Sequence, residues 1–435
     1  MDILTGFDFP REQPSIIKVI GVGGGGGNAV THMYKEGIRD VTFVLCNTDN
    51  RALIESDVPN KFQLGKQITE GLGAGNKPLV AKDAAEESVQ DLRKLLDDGT
   101  KMAFITAGMG GGTGTGAGPV VAKVAKEMGI LTVGIVTIPF LFEGAPKILQ
   151  ALKGVEEISK NVDALLVINN ERLRDIYSDL TVLNAFKKAD DTLTTAAKSI
   201  AEIITFPGHV NLDFADVNTI LRDGGVAIMS SGFGAGEGRV SAAIENALNS
   251  PLLNNNDVFN AKKILFNVYF SSTKPLMMEE MNEVNDFMAK FRIKEIEVIW
   301  GLAVDDTLEE QVKFTVLATG FGIENIPFMS KAMEVKEQLD AAENKRKQEE
   351  EQAQRLEDEE RSRYEAKLIE IYYGKEALRN LGKSTKPKPF IFASVEQMDD
   401  NEIIEALINH PTYKRSSKIM IDIAEQAEAR RTANY

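Results

Sequence analysis

The sequence predicts an α/β protein: a parallel sheet with helices on both faces, a long central helix, an α+β second domain and a charged tail. Three observations predict it. Short apolar runs rich in β-branched residues alternate with helical periodicity through the first half. Glycine-rich or small polar segments follow those runs. Between Glu343 and Glu370, 17 of 28 residues are charged, too many to pack a core.

Ile16 to Val22 is apolar and β-branched, hence a buried strand, and Gly23–Gly27 and Asn28 follow at once. Helical spacing opens with Ala29, Val30 and Met33. Gly21-x-Gly23-x-x-Gly26 matches a dinucleotide fingerprint, but within five consecutive glycines the match says little. The P-loop pattern is absent, because Asn28 stands where its lysine belongs. Val41–Cys46 is the second strand and ends in Asn47-Thr-Asp49. Gly71-Leu-Gly-Ala-Gly75 and Pro78 lead into a helix predicted over Leu79–Leu96.

The organising stretch is Gly108-Met-Gly-Gly-Gly-Thr-Gly-Thr-Gly-Ala-Gly118. Seven of its eleven residues are glycine, between an apolar strand at Met102–Thr106 and a helical pattern from Val120 to Met128. Glycines let backbone amides approach a ligand, and the helix behind adds unpaired N–H groups and a positive dipole end. With the hydroxyls of Thr113 and Thr115, this reads as a phosphate cradle. Ile130–Thr137 and Asp163–Asn169 are further strands, ending in Pro139-Phe-Leu-Phe-Glu-Gly144 and in Asn169-Asn170. Two long glycine segments facing each other, with a third alongside, suit a triphosphate better than a dinucleotide.

Apolar positions from Leu183 to Ile203 recur at helical spacing, predicting one long helix over about Leu180–Ile204. Phe186 and Asp190 lie four apart on one face of it. A ring above a carboxylate suits stacking on guanine and accepting its ring N–H and exocyclic amine. The usual burial pattern instead favours a core Phe beside a solvated Asp. Asn211, Asp213 and Asp216 fall at a predicted helix start. The two acids there either cap the helix or orient a water or cation for phosphate hydrolysis, and spacing does not choose. The second domain has strands near Val226–Met229, Lys263–Tyr269, Ile296–Val304 and Gln311–Thr319, and helices near Val240–Leu248 and Met277–Lys290, read as an α+β sandwich.

At 435 residues the chain holds two or three domains. Its net charge of −15 argues against nonspecific nucleic-acid binding, though not against a nucleotide held by backbone. One cysteine, Cys46, excludes an internal disulfide and fits a reducing compartment. His32, His209 and His410 are far apart in sequence, so a zinc site is not expected. No apolar run reaches the roughly 18 residues of a membrane span, and Met1–Pro14 has no signal-peptide core. Glu343–Glu370 reads as a solvated helix or an extended charged linker. Lys383–Pro389 breaks it, Glu402–Ile408 is a short amphipathic piece, and Pro411–Arg415 is a docking segment or plain disorder.

Together these residues resemble the bacterial tubulin-like division GTPases of the FtsZ family. The glycine segments, Asn47-Thr-Asp49, Pro139-Phe-x-Phe-Glu-Gly144 and Asn211-Leu-Asp-Phe-Ala-Asp216 occur in that family's order and spacing, and Gly108–Gly116 is its signature. The resemblance implies a tubulin-like GTP-binding domain (16–180) after an N-terminal extension (1–15). A central helix (181–207), a C-terminal GTPase-activating domain (208–328), a charged linker (329–389) and a tail (390–435) follow. It places phosphate contacts on Gly24, Gly25, Gly26, Gly27 and Asn28, and on Gly112, Thr113 and Gly114. The GTP-binding set also takes in Asn47, Thr48, Gly73, Ala74, Gly75, Gly108, Gly110, Gly111, Thr115, Gly116, Pro139 and Lys147. Glu143 would contact the ribose, with Asn170 near it; Phe186 would stack on the base and Asp190 would pair with it.

In the same resemblance Asn211, Asp213 and Asp216 act in trans, on the GTP of the next subunit in a head-to-tail filament. Mg²⁺ is expected on the phosphates of GTP or GDP, without a dedicated protein ligand set. The expected partners are the chain itself, and division-site adaptors and regulators through the tail. No nucleic acid is expected, and the membrane only through an adaptor. The expected place is the cytoplasm at mid-cell. Two departures stand out: Lys147 occupies a position where the family commonly has arginine, and Pro411–Arg415 precedes the end by about twenty residues. A lysine keeps the charge without arginine's planar fork. The competing readings are a dinucleotide-dependent oxidoreductase and a tubulin-like structural protein that binds GTP without turnover. The first leaves the second glycine segment unexplained, and the intact Asn-x-Asp-x-x-Asp pattern opposes the second.

Overall fold

Strands with no polar face end up covered on both sides. In β1 (Ile17–Val22) all six residues are buried, with Ile20 and Val22 in one apolar cluster and Ile17 and Val19 in another. The period of two along a strand divides the same run between two cores. The computed structural model describes residues 15–38, 40–177, 181–205, 208–249, 258–292, 296–326, 329–375 and 401–410, with isolated residues between 398 and 425. It divides into two compact units, 1–336 and 337–435. The expected break at Lys383–Pro389 and the docking segment Pro411–Arg415 lie outside the described residues.

The first unit continues with α1 (Gly23–Lys35), β2 (Thr42–Asn47), α2 (Asn50–Ile54), β3 (Asn60–Gln63), α3 (Pro78–Glu87), α4 (Val89–Leu96), β4 (Met102–Gly108) and α5 (Thr113–Glu127). Then come β5 (Leu131–Ile138), α6 (Ala145–Ser159), β6 (Ala164–Asn169), α7 (Asn170–Ile176) and the long helix α8 (Val182–Thr205). The helix expected over Leu79–Leu96 is two. Ser88 divides it, its Oγ accepting from Gly65 N (2.9 Å) and donating to the Ala84 carbonyl (3.0 Å). Two of the glycine runs reach into helices: α1 begins at Gly23 and α5 at Thr113.

The remaining elements of this unit are β7 (Gly208–Val210), α9 (Phe214–Leu221), β8 (Gly225–Gly234), α10 (Arg239–Leu248), β9 (Lys263–Phe270), α11 (Glu280–Arg292), β10 (Glu297–Val304) and β11 (Val312–Phe321). The second set of strands does not form a separate sheet. The strands among the described residues join one eleven-stranded sheet in the order β3-β2-β1-β4-β5-β6-β8-β11-β9-β10-β7. The seam is short: β6 and β8 pair only at Ala164–Gly225 and Leu165–Val226. Helix α12 (Met329–Tyr373) carries the charged run, so that run is helical. In the second unit, α13 (Asn401–Asn409) buries Ile403 with Ile423, against Ala406, Leu407 and Ile419.

Candidate functional site

Strands β2, β1, β4, β5 and β6 run parallel, so their C-terminal ends share one edge. The candidate nucleotide residues gather there, as ligands do in open α/β sheets. Helices α1 and α5 start directly behind β1 and a four-residue turn after β4. Neither first turn has a side-chain cap. Their leading N–H groups therefore remain available to an anion.

The glycines divide by what a Cβ would meet. At Gly24 and Gly27 it would meet nothing within 4 Å. Those two, with Asn28, His32 and Asn47, line a cavity of about 400 Å³. A Cβ on Gly26 would fall 2.2 Å from the Thr106 carbonyl oxygen, and one on Gly116 2.0 Å from that of Pro78. One on Gly114 would fall 2.4 Å from the Gly108 carbonyl oxygen, and one on Gly25 3.2 Å from the Gly108 Cα. These glycines let the two helix starts pack on each other and on neighbouring backbone. Gly110, at φ +102°, turns the chain beside Pro139 and the Lys147 carbonyl.

Other residues brace the cradle. Thr48 and Thr113 share a 2.8 Å hydroxyl contact that ties the end of β2 to the start of α5. Asn47 is buried and accepts from Asp49 N at 3.2 Å. Gly73 N donates to the Thr48 carbonyl at 3.2 Å, while Ala74 and Gly75 continue that segment and Ala74 is buried. A Cβ on Gly112 would lie 3.0 Å from Lys77 N, so the third glycine segment abuts α5. Thr115 is buried and its hydroxyl accepts from Gly110 N at 2.9 Å, which shapes the turn from inside. Gln150, which the sequence did not single out, donates to the Gly110 and Gly111 carbonyls, both at 3.0 Å. Its signal was obscured because a glutamine in an amphipathic helix is ordinary.

Beyond the end of β5, Glu143 accepts from Phe140 N at 3.0 Å and pairs with Lys147 at 3.2 Å. Lys147 is thus engaged by a carboxylate one turn away. Asn170 is buried, and its amide oxygen has no hydrogen-bond partner among the described residues. Phe186 is part of an aromatic group, edge-on to Phe140 (5.2 Å) and Phe142 (6.1 Å), and 39% exposed. It is therefore not the core residue that burial statistics favour. Burial pushes the Asp190 carboxylate up to about 6, opposed by His32 and reinforced by Asp191. Its neighbour Asp191 pairs with His32 at 2.8 Å.

Asn211, Asp213 and Asp216 are not in this group. Asp213 caps α9, accepting from Ala215 N (2.7 Å) and Asp216 N (3.0 Å), and Asp216 accepts from Asp213 N (3.0 Å). Asn211 accepts from Gly208 N at 2.6 Å. The far end of α9 is fixed by Arg222, which donates to the Gly129 carbonyl (3.2 Å) and to Asp163 (3.3 Å). Those residues precede β5 and β6. The C-terminal end of helix α9 therefore lies at the N-terminal edge of the parallel strands, opposite the cradle. Helix α8 joins the two edges: fifteen residues separate Asp190 from its end at Thr205, about 22 Å.

The family model described as "Tubulin/FtsZ family, GTPase domain" matches residues 16–178, and "FtsZ family, C-terminal domain" matches 225–322. A cell division protein FtsZ from Porphyromonas gingivalis is 51% identical over 421 residues, covering 96% of this chain and 90% of that one. The chain belongs to the FtsZ family. It is a tubulin-family GTPase and a cell-division protein, which sets aside the dinucleotide-dependent oxidoreductase. Among solved structures, an FtsZ dimer of M. jannaschii is similar at TM-score 0.64 and 39% identity, covering 70% of this chain and 88% of that one. CetZ2 from Haloferax volcanii shares the fold at TM-score 0.61 and 18% identity, covering 74% and 99%. Among the described residues, no helix is long and apolar enough to cross a membrane.

Proposed function

We propose that this chain polymerises head to tail and hydrolyses GTP at the junctions, forming the scaffold of the division ring. The observation that carries this reading is the separation of the two candidate sets. The phosphate cradle lies at the C-terminal edge of the parallel strands, whereas α9, which Asp213 and Asp216 begin, ends at their N-terminal edge, and this supports acids that serve another subunit's nucleotide. Stacking subunits along the strand direction would bring one edge of each against the opposite edge of the next. The FtsZ of M. jannaschii, 39% identical, is described as a dimer, which supports self-association here.

In this reading the leading N–H groups of α1 and α5 hold the phosphates. Asn170 lies near the ribose, Phe186 stacks on the base, and ionised Asp190 accepts from guanine. The partner's Asp213 and Asp216 would orient the attacking water. Each has one oxygen committed to the cap, which fixes the carboxylates in place. Asp49 caps α2 and Glu143 holds Lys147, so the nearby carboxylates are occupied. Mg²⁺ would take its ligands from phosphate oxygens and water, and would neutralise phosphate charge. Residues 16–180 would bind nucleotide, 181–207 connect, 208–328 supply the acids, and 329–435 link to division-site adaptors at mid-cell.

Phosphate release per subunit, measured against protein concentration, tests the reading. It should be negligible below a threshold concentration and rise above it. Constant activity per subunit at every dilution would mean that the site is complete within one chain.

A further inference from the structure

We infer that His32, acting through Asp191, is a positioning residue that keeps Asp190 in the state that receives guanine. The inference rests on the base-binding reading of Asp190 given above. His32 lies on α1, on the wall of the cradle cavity beside Gly24, Gly27 and Asn28. Its Nε2 reaches Asp191 Oδ1 on α8 at 2.8 Å. It therefore links the helix that starts the phosphate cradle to the helix that carries the base residues, one position from Asp190.

The chemistry follows from what guanine requires. Its ring N–H and exocyclic amine are both donors, so the carboxylate facing them must be ionised to accept both. Two adjacent carboxylates oppose each other's ionisation. A ring nitrogen bonded to Asp191 offsets that neighbour and spares Asp190. Burial raises Asp190, His32 lowers it and Asp191 raises it. Other charges on the surrounding elements are committed elsewhere or face solvent. On α1, Lys35 pairs with Asp57 at 3.2 Å and Glu36 is exposed. Glu55, beside α2, holds Arg51 at 2.8 Å. On α7, Glu171 holds Arg174 at 2.8 Å, and Arg172 also has a partner. On α8, Lys187 is exposed and Lys188 lies over the Tyr177 ring at 4.9 Å.

The test is GDP affinity of the full chain from about pH 5 to about pH 8.5, for wild type, His32→Gln, Asp191→Asn and the double variant. Comparing variants cancels the titration of GDP itself. His32→Gln should move the midpoint of affinity loss upward by about half to one pH unit. Asp191→Asn should move it downward, and in the double variant should bring it back toward wild type. An unmoved midpoint, or a uniform loss of affinity at every pH without recovery in the double variant, would overturn the inference and leave a simple structural link. Wild-type protein whose GDP affinity does not fall on acidification would instead overturn the Asp190 reading itself.

Discussion

Burial at Asp190 has opposite consequences for stability and for binding. Its folded pKa of about 6 lies above the ordinary carboxylate value. The stability it contributes is complete below the unfolded pKa and is lost as pH rises through about 6. Asp190→Asn should therefore stabilise the nucleotide-free protein at pH 7, by on the order of 1 kcal/mol after allowance for partial exposure. Thermal melts of the apo proteins check this. The same change should cost guanine affinity and favour xanthine nucleotides, whose ring presents an acceptor where guanine has an amine. Sequence spacing placed Phe186 and Asp190 on one helix face but could not say whether that face was open. The answer depends on Phe140 and Phe142, which arrive from another strand's end. Asn170 shows the same limit: its unpartnered oxygen is a property of its surroundings and not of its neighbours in sequence.

The glycine-rich helix starts separate two roles that look identical in sequence. Gly27→Ala meets open space and improves helix propensity by about 0.5–1 kcal/mol. It should keep or raise the melting temperature yet weaken nucleotide binding, since its methyl enters the cavity. Gly116→Ala meets the Pro78 carbonyl at 2.0 Å and should destabilise the fold by about 1–3 kcal/mol. Paired melting and GDP titration distinguish the two. At α9, Asp213→Ala removes a cap and should cost about 1 kcal/mol, whereas Asp213→Asn keeps an accepting oxygen and should cost much less. Both should lose hydrolysis if the charge matters beyond the cap. The sequence left cap and catalyst as alternatives; the geometry makes Asp213 a cap and leaves it able to act as a catalyst.

On α12, pairs such as Lys345–Glu349 (3.9 Å) and Arg346–Glu350 (3.3 Å) follow i,i+4 spacing on an exposed helix. A peptide covering 337–373 should lose helicity, read by circular dichroism, between low salt and about 1 M salt.

For the whole molecule, the sequence revealed the alternation of strands and helices, and hence the parallel sheet and its ligand edge. It did not reveal that β8–β11 would extend the same sheet, because the join is two residue pairs at the start of β8 and carries no periodic signal. Nor could spacing place α9 at the opposite edge. That follows from Arg222 reaching Gly129 and Asp163, contacts 93 and 59 residues away in the chain. The two-edged arrangement underlies the proposed mechanism. It predicts that a chain defective only in the pocket and a chain defective only in its acids can complement each other.

The measurement that tests this most directly is phosphate release from an equal mixture of Asp190→Ala and Asp213→Asn proteins. Each alone should be inactive, the first for want of bound GTP and the second for want of an acid. Head-to-tail mixing should restore up to about a quarter of wild-type activity, from junctions that join a sound pocket to a sound acid pair. A mixture as inactive as its components, or an Asp213→Asn protein active by itself, would contradict a site shared between subunits.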